Sequence, residues 1–267
     1  MKKITTWLLA SLLSNAAVLP NLAFANEASV ADYRAMLEGD SPGEFWVDDG
    51  KDLFHAKSGP KNVSLEKCDL GKGPGVVDGV YVELPKYFKD VDQVMDLETR
   101  LMHCMITLQG KNKDDIINNA FSNPKKGKDS EMEKIVAYVA AQSNGEKFNL
   151  ALSHPKEMES YKTGEGLFWR RSGTMDFSCA TCHAADGQRI RLQTLYNAYN
   201  DNTTIPSWPT YRVSKATVRT MQNRMWDCHW QMRLPDVDFG SKATIDLITF
   251  MTKQSDGGEI QVPSIKR

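Results

Sequence analysis

The pentapeptide CATCH at residues 179–183 restricts this chain more than any other feature of its sequence. In a C-x-x-C-H motif, two thiols form thioether bonds to the vinyl groups of a haem, and the adjoining histidine binds the iron. The alternative is a redox-active cysteine pair beside an incidental histidine, as in thioredoxin-like folds, but the βαβ pattern of those folds is missing. The motif therefore predicts a covalently bound haem c at Cys179 and Cys182, with His183 as an axial ligand.

The first 25 residues predict the compartment. Lys2 and Lys3 precede an apolar run that ends near AFA at residues 23–25, which is typical of a secretory signal with an Ala-x-Ala cleavage site. The run is too short to hold the chain in a bilayer as a stable anchor. We therefore expect a periplasmic, soluble mature protein that begins near Asn26 and has no membrane span.

Charge and length narrow the class further. The formal net charge is -1, from 33 basic and 34 acidic side chains, so nothing suggests a nucleic-acid partner. The mature chain is long enough for two domains of ordinary size.

Helical periodicity dominates the chain, whereas regular strand alternation is scarce. Long loops rich in Gly, Pro and Asn separate the periodic segments. These features predict an all-α fold with large irregular loops. The periodic segments read MDLETRLMHCMITLQ, EMEKIVAYVAAQS, SKATVRTMQNRMWDCHWQM and SKATIDLITFMTKQS.

An internal similarity indicates duplication. Residues 135–155 can be laid over residues 247–265, and both segments read as a helix capped by Gln-Ser-x-Gly. The order of the preceding cysteines also matches, although chance resemblance between helix ends is the alternative. We expect a signal peptide at 1–25 and two tandem cytochrome c-like domains at 26–155 and 156–267, with haem only in the second.

The second axial ligand must come from downstream of the motif, and one segment holds all the candidates. A methionine would raise the haem potential and suit an electron carrier, a histidine would lower it, and a cysteine thiolate would lower it further. Methionine is the usual partner of an isolated C-x-x-C-H haem. The candidates are Met221, Met225, Cys228, His229 and Met232.

Once the other four cysteines are accounted for, Cys228 is left without an assigned role. In an oxidising compartment each cysteine needs a role, and Cys68 and Cys104 lie together in the other half, where they can pair with each other. Cys228 is flanked by charged residues, and nearby cations would lower the pKa of its thiol. Arg224 lies one helical turn before it, on the same face, where a guanidinium suits an oxyanion such as a sulfonate.

Three segments together resemble the SoxA family, the larger cytochrome c subunits of the SoxAX complex in bacterial thiosulfate oxidation. The resemblance covers nearly the whole mature chain, and its third segment is the most specific, because ordinary cytochromes lack it. These segments are CDLGKGPGVVDGVYVELPKYFKDVDQVMDLETRLMHCMITLQG at 68–110, GEGLFWRRSGTMDFSCATCH at 164–183 and NRMWDCHWQMRLP at 223–235.

The resemblance implies an L-cysteine S-thiosulfotransferase, which oxidatively joins thiosulfate to a cysteine of the carrier protein SoxYZ. It implies that Cys228 is the distal haem ligand and a persulfide intermediate, and that Arg224 helps to hold the substrate. Joining two sulfurs releases two electrons and one haem accepts one at a time, so a partner cytochrome of the SoxX type is also implied. The alternative is a periplasmic electron-transfer cytochrome with Met or His as the sixth ligand and no sulfur transfer.

Some members of the family carry a second haem in their first half. No C-x-x-C-H motif precedes residue 179 here, so the resemblance implies the single-haem form. The Cys68–Cys104 pair would then be a structural disulfide. His55 and His103 are assigned no ligand role.

Overall fold

The computed structural model describes residues 41–190 and 193–267. The predicted signal peptide lies outside the described residues. Within them, every helix is too short or too polar to cross a membrane.

Helices form most of the regular structure in the described ranges. Three of the four periodic segments are helical along most of their length, which confirms those predictions. The segment at residues 214–232 is helical only from Met221, because a short strand precedes the helix. The α-helices are α1 (Glu44–His55), α2 (Leu97–Thr107), α3 (Lys113–Asn118), α4 (Glu131–Ala141), α5 (Pro155–Trp169), α6 (Cys179–His183), α7 (Met221–Gln231) and α8 (Lys242–Gln254).

The fold is mostly helical, which confirms the main part of the all-α prediction, and short strands are added to it. Short antiparallel hairpins precede α2 and α7, and a third hairpin follows α6. The strand order β6-β5-β7 forms a small sheet in which β7 runs parallel to β5. The strands are β1 (Lys86–Phe88), β2 (Gln93–Met95), β3 (Arg189–Ile190), β4 (Gln193–Thr194), β5 (Thr210–Arg212), β6 (Thr217–Arg219) and β7 (Ser264–Lys266).

Two helix pairs form the centre of the two halves, α1 with α4 and α5 with α8. In each pair a glycine lets the backbones meet: a Cβ on Gly50 would lie 2.0 Å from the Lys134 carbonyl oxygen, and one on Gly164 would lie 1.9 Å from that of Asp246. One turn after each glycine comes a buried phenylalanine, Phe54 or Phe168. The two halves therefore repeat one packing arrangement.

The repeat also includes helices α2 and α7 and the hairpin that precedes each of them. Strands β1 and β2 pair with Phe88 opposite Gln93, and β5 and β6 pair with Arg212 opposite Thr217. Each hairpin leads into a helix whose N-cap side chain accepts a backbone hydrogen bond, Asp96 for α2 and Thr220 for α7. Helix α7 of the second half thus corresponds to α2 of the first.

The predicted domain boundary between residues 155 and 156 falls at the start of α5, which begins at Pro155. His154 caps α5 with its side chain, and the Glu157 carboxylate reaches back to the His154 backbone amide at 3.0 Å. The segment that begins at Pro155 therefore contributes the first helix of the second half.

Candidate functional site

Helix α6 presents the two cysteines of the CATCH motif on one face. Ser178 and Thr181 form a reciprocal capping box that starts the helix directly before Cys179. Cys179 and Cys182 are three residues apart, so their side chains lie on the same side of one turn. Both thiols are free and partly exposed.

The His183 ring is held by the chain that follows it. Its Nδ1 lies 2.9 Å from the Tyr196 carbonyl oxygen, which can only accept, so Nδ1 carries the proton and Nε2 the lone pair. The Tyr196 ring packs beside the imidazole, with centroids 4.5 Å apart. Burial lowers the pKa of His183 and favours the neutral ring. A neutral, anchored imidazole of this kind is suited to binding a metal through Nε2.

Helix α7 brings Cys228 to the same place. Its thiol lies close enough to Cys179 and Cys182 for their charges to affect one another's pKa values. Burial, with a smaller contribution from Cys228, raises the pKa of Cys179 to about 12. The chain therefore gathers three free thiols and the His183 imidazole around one site.

Nearby cations do lower the pKa of Cys228, as expected, but the net shift is upward. Burial raises the pKa of this thiol and outweighs the lowering by Arg224 and Arg212, while Asp227 raises it too. Desolvation of the thiol therefore affects its pKa more than the nearby cations do.

Arg224 lies on α7 one turn before Cys228, as predicted, and is close enough to His183 to lower its pKa. Its Nη1 lies 3.2 Å from the Asp227 carboxylate, so part of its charge is offset. Sequence reasoning missed Arg212, which lies on β5. Its charge also affects the pKa of Cys228. No local spacing links a residue on this strand to α7.

The other candidate axial ligands occupy different surroundings. Met221 and Met225 are buried in the hydrophobic core, and Met232 follows the end of α7. His229 has its Nδ1 2.7 Å from the Pro235 carbonyl oxygen, while its buried Nε2 has no hydrogen-bond partner among the described residues. His229 is therefore the main competitor of Cys228.

The first half has no comparable set of free donors among its described residues. Cys68 and Cys104 form a disulfide, so the predicted pairing is confirmed. His55 Nδ1 lies 2.7 Å from the Glu66 carboxylate, and His103 lies near Asp90. The Cys68 and Cys104 sulfurs are therefore not free to form thioethers.

The donors of the second half fit a covalently held haem. Two free thiols one turn apart match the two vinyl groups, and the His183 Nε2 is available to the iron. The Cys228 thiol supplies a soft donor from a different helix.

Comparison with known proteins agrees with this chemistry. The family model described as SoxA/TsdA, cytochrome c domain, matches residues 49–148 and 163–260, one segment in each half. A protein of Hydrogenophilus thermoluteolus named L-cysteine S-thiosulfotransferase subunit SoxA is 43% identical over 100% of this chain and 99% of its own. A protein of the same name from Hydrogenobacter thermophilus is 37% identical over 85% of this chain and 82% of its own.

A solved structure shares the fold. The crystal structure of SoxXA from P. pantotrophus aligns with a TM-score of 0.73 over 88% of this chain and 84% of that chain, at 23% sequence identity. The family model covers both halves, and the identity to the Hydrogenophilus protein extends over the full length. This chain therefore belongs to the SoxA family.

Proposed function

We propose that this chain is the SoxA subunit of an L-cysteine S-thiosulfotransferase. It would join thiosulfate to a cysteine of a SoxYZ-type carrier protein in the periplasm. The full-length similarity to proteins of that name supports the activity. The observation that carries the mechanism is the position of Cys228, which faces the CATCH thiols from α7 with Arg224 one turn away.

The proposed reaction is an oxidation, so the electrons that it releases need an acceptor. A carrier thiol and thiosulfate give a carrier S-thiosulfonate, one proton and two electrons, with one S–S bond formed and one S–H bond lost. The haem, when bound, would accept electrons one at a time, so a SoxX-type cytochrome would take part as a heterodimer partner. The fold shared with SoxXA supports this partnership.

Individual residues have separate roles in this proposal. Cys179 and Cys182 would hold a single haem c, and His183 and Cys228 would supply the ligands of its iron. Cys228 would also be the catalytic sulfur, carried through a persulfide, and the Arg224 guanidinium would orient the anionic substrate. Cys228 is only partly exposed, which limits the access of water to the sulfur that would react.

The proposal includes the domain arrangement. The haem domain would comprise residues 156–267, and the domain at 26–155 would lack haem, with the signal peptide at 1–25 removed. The Cys68–Cys104 disulfide supports a first half without thioethers. The family model also matches the two halves separately.

The test is the near-infrared and electron paramagnetic resonance spectrum of the oxidised, purified complex. We expect the signature of a low-spin haem with histidine and thiolate ligands. A methionine signature would overturn the assignment of Cys228 as the sixth ligand. A bis-histidine signature would favour an electron carrier ligated by His229, whose buried Nε2 has no partner among the described residues.

A further inference from the structure

The internal repeat provides a comparison for the environment of Arg224. Helices α2 and α7 follow matching hairpins, so Arg100 corresponds to Arg224 and Cys104 to Cys228 at one constant offset in numbering. By the same offset Phe88 corresponds to Arg212. The two halves therefore place an arginine in the same position but give it different neighbours.

In the first half, the charge of Arg100 is fully compensated. Its Nη1 donates to the Asp90 carboxylate at 2.7 Å, and its Nε donates to the Asp69 carbonyl oxygen at 2.7 Å. The guanidinium carbon lies 4.1 Å from the centre of the Phe88 ring. A buried arginine with these partners needs no ligand.

In the second half, those partners are missing. Arg212 replaces the phenylalanine, and Ser214 replaces the aspartate in the hairpin turn. Arg212 and Arg224 both line a small cleft of about 60 Å³, together with Lys215. Asp227, which also lines the cleft, lies close to both arginines.

The Arg212 side chain is not satisfied by the described protein. Its Nε is buried and has no hydrogen-bond partner among the described residues. Arg219, which also lines the cleft, is already bound to Glu133 at 2.8 Å. A buried donor left unpaired costs about 1–3 kcal/mol, so a ligand that accepts from it gains affinity.

We propose that Arg212 is a second substrate-binding residue, which with Arg224 holds the sulfonate end of thiosulfate in this cleft, one helical turn along α7 from Cys228. The inference rests on the proposed function and deepens it. Thiosulfate is a dianion, whereas Asp227 already offsets part of the charge of Arg224, so the second guanidinium supplies the missing positive charge. The cleft has room for roughly four water-sized groups, which suits a small tetrahedral anion.

The test compares Arg212→Gln with the wild-type haem-loaded complex, using thiosulfate and the carrier protein as substrates. We expect a KM for thiosulfate at least tenfold higher, with kcat within about threefold and the haem spectrum unchanged. Arg212→Lys should recover part of the loss. Arg233→Gln removes an exposed charge from the same half, where the guanidinium lies 5.2 Å from the Trp230 ring centre, and should change KM less than twofold.

A second measurement separates this inference from the proposed function. Titration calorimetry with thiosulfate, in the absence of the carrier, measures binding without turnover. Weaker binding by Arg212→Gln supports the inference even if the wild-type complex transfers no sulfur, a result that would overturn the proposed function alone. Equal thiosulfate affinity of Arg212→Gln and wild type would overturn the inference. If the glutamine variant does not fold, Arg212→Phe replaces it, since the first half carries phenylalanine there.

Discussion

Gln222 on α7 donates its side-chain amide to both carboxylate oxygens of Asp96, at 3.0 and 2.8 Å. Its Oε1 accepts from the Gly240 backbone amide at 2.7 Å, and its backbone amide donates to Glu98 at 3.0 Å. This network is buried and joins the two halves. Since α7 also carries Arg224 and Cys228, the first half helps to position the chemistry of the second.

Gln222→Ala should therefore destabilise the protein. The substitution removes the Gln222 amide from the buried Asp96 carboxylate, which keeps its N-cap hydrogen bond, and leaves the Gly240 amide without its acceptor. We expect a cost of about 2–3 kcal/mol of unfolding free energy. Urea unfolding at neutral pH measures this loss of free energy. Gln261→Ala, at an exposed position, serves as the control and should change the free energy by less than about 0.5 kcal/mol. Equal stabilities of the two variants would contradict the role of the network.

Glu98 should make the stability depend on pH. Burial raises its pKa well above 4.5, and Asp96 raises it further, so the folded state binds this proton more tightly than the unfolded chain. The stabilising contribution is then complete below pH 4.5 and is lost as pH rises through the folded pKa. Relative to Glu98→Gln, wild type should lose unfolding free energy with rising pH, by at most about 1.4 kcal/mol per pH unit.

Urea unfolding of both proteins from pH 4 upward checks this expectation. A difference in free energy that stays constant with pH would contradict it. Glu159→Gln, at an exposed position, controls for the loss of one charge.

The helices that the sequence predicted are those with a broad apolar face and a hydroxyl or carboxyl N-cap, such as α4 after Ser130 and α8 after Ser241. Helices α1 and α5 were not predicted, and each packs on its partner through a glycine that admits the neighbouring backbone. Helix α5 is also weakly amphipathic, so its periodicity is hard to detect. The strands are only two or three residues long, which is too short for alternation to show.

The residues of the site also divide into those that the sequence predicted and those that it could not. The CATCH motif and Arg224 with Cys228 were found because their spacing is local to one helix turn. Arg212 lies on a strand and reaches the site only through tertiary packing. The direction of the Cys228 pKa shift depends on burial, which flanking residues in the sequence do not reveal.

Gly164→Ala should disrupt the pairing of α5 with α8. The new Cβ would lie 1.9 Å from the Asp246 carbonyl oxygen and 2.9 Å from the Phe250 Cβ, so the helices must separate. We expect a loss of about 1–3 kcal/mol, measured by thermal or urea unfolding. On the same helix, a Cβ at Gly166 meets nothing within 4 Å, so Gly166→Ala should stabilise by about 0.5–1 kcal/mol. The same sign for both variants would refute the close-contact explanation.

Removing the disulfide should weaken the fold without removing the chemistry. Cys68 and Cys104 are separated by 36 positions, and closing such a loop contributes about 3–4 kcal/mol in the chain-entropy model. Cys68→Ala with Cys104→Ala should therefore lower the unfolding free energy by about that amount. The haem spectrum and sulfur transfer at low temperature should persist, because the Cys68 and Cys104 sulfurs lie in the first half and the CATCH motif and Cys228 lie in the second. Loss of covalent haem from a folded double variant would count against a purely structural bridge.

Cys228→Ala should abolish sulfur transfer while the haem stays attached through Cys179 and Cys182. The catalytic sulfur is then gone, and the thiolate signature should disappear from the spectrum of the oxidised haem. Intact mass should show one haem in both proteins, with any additional sulfur atom present only in wild type. His229→Ala is the matched neighbour on α7: it removes the competing Nε2 and should leave the thiolate signature in place. Substantial turnover by Cys228→Ala would show that the reacting sulfur is elsewhere, and a lost signature in His229→Ala would transfer the sixth ligand to that imidazole.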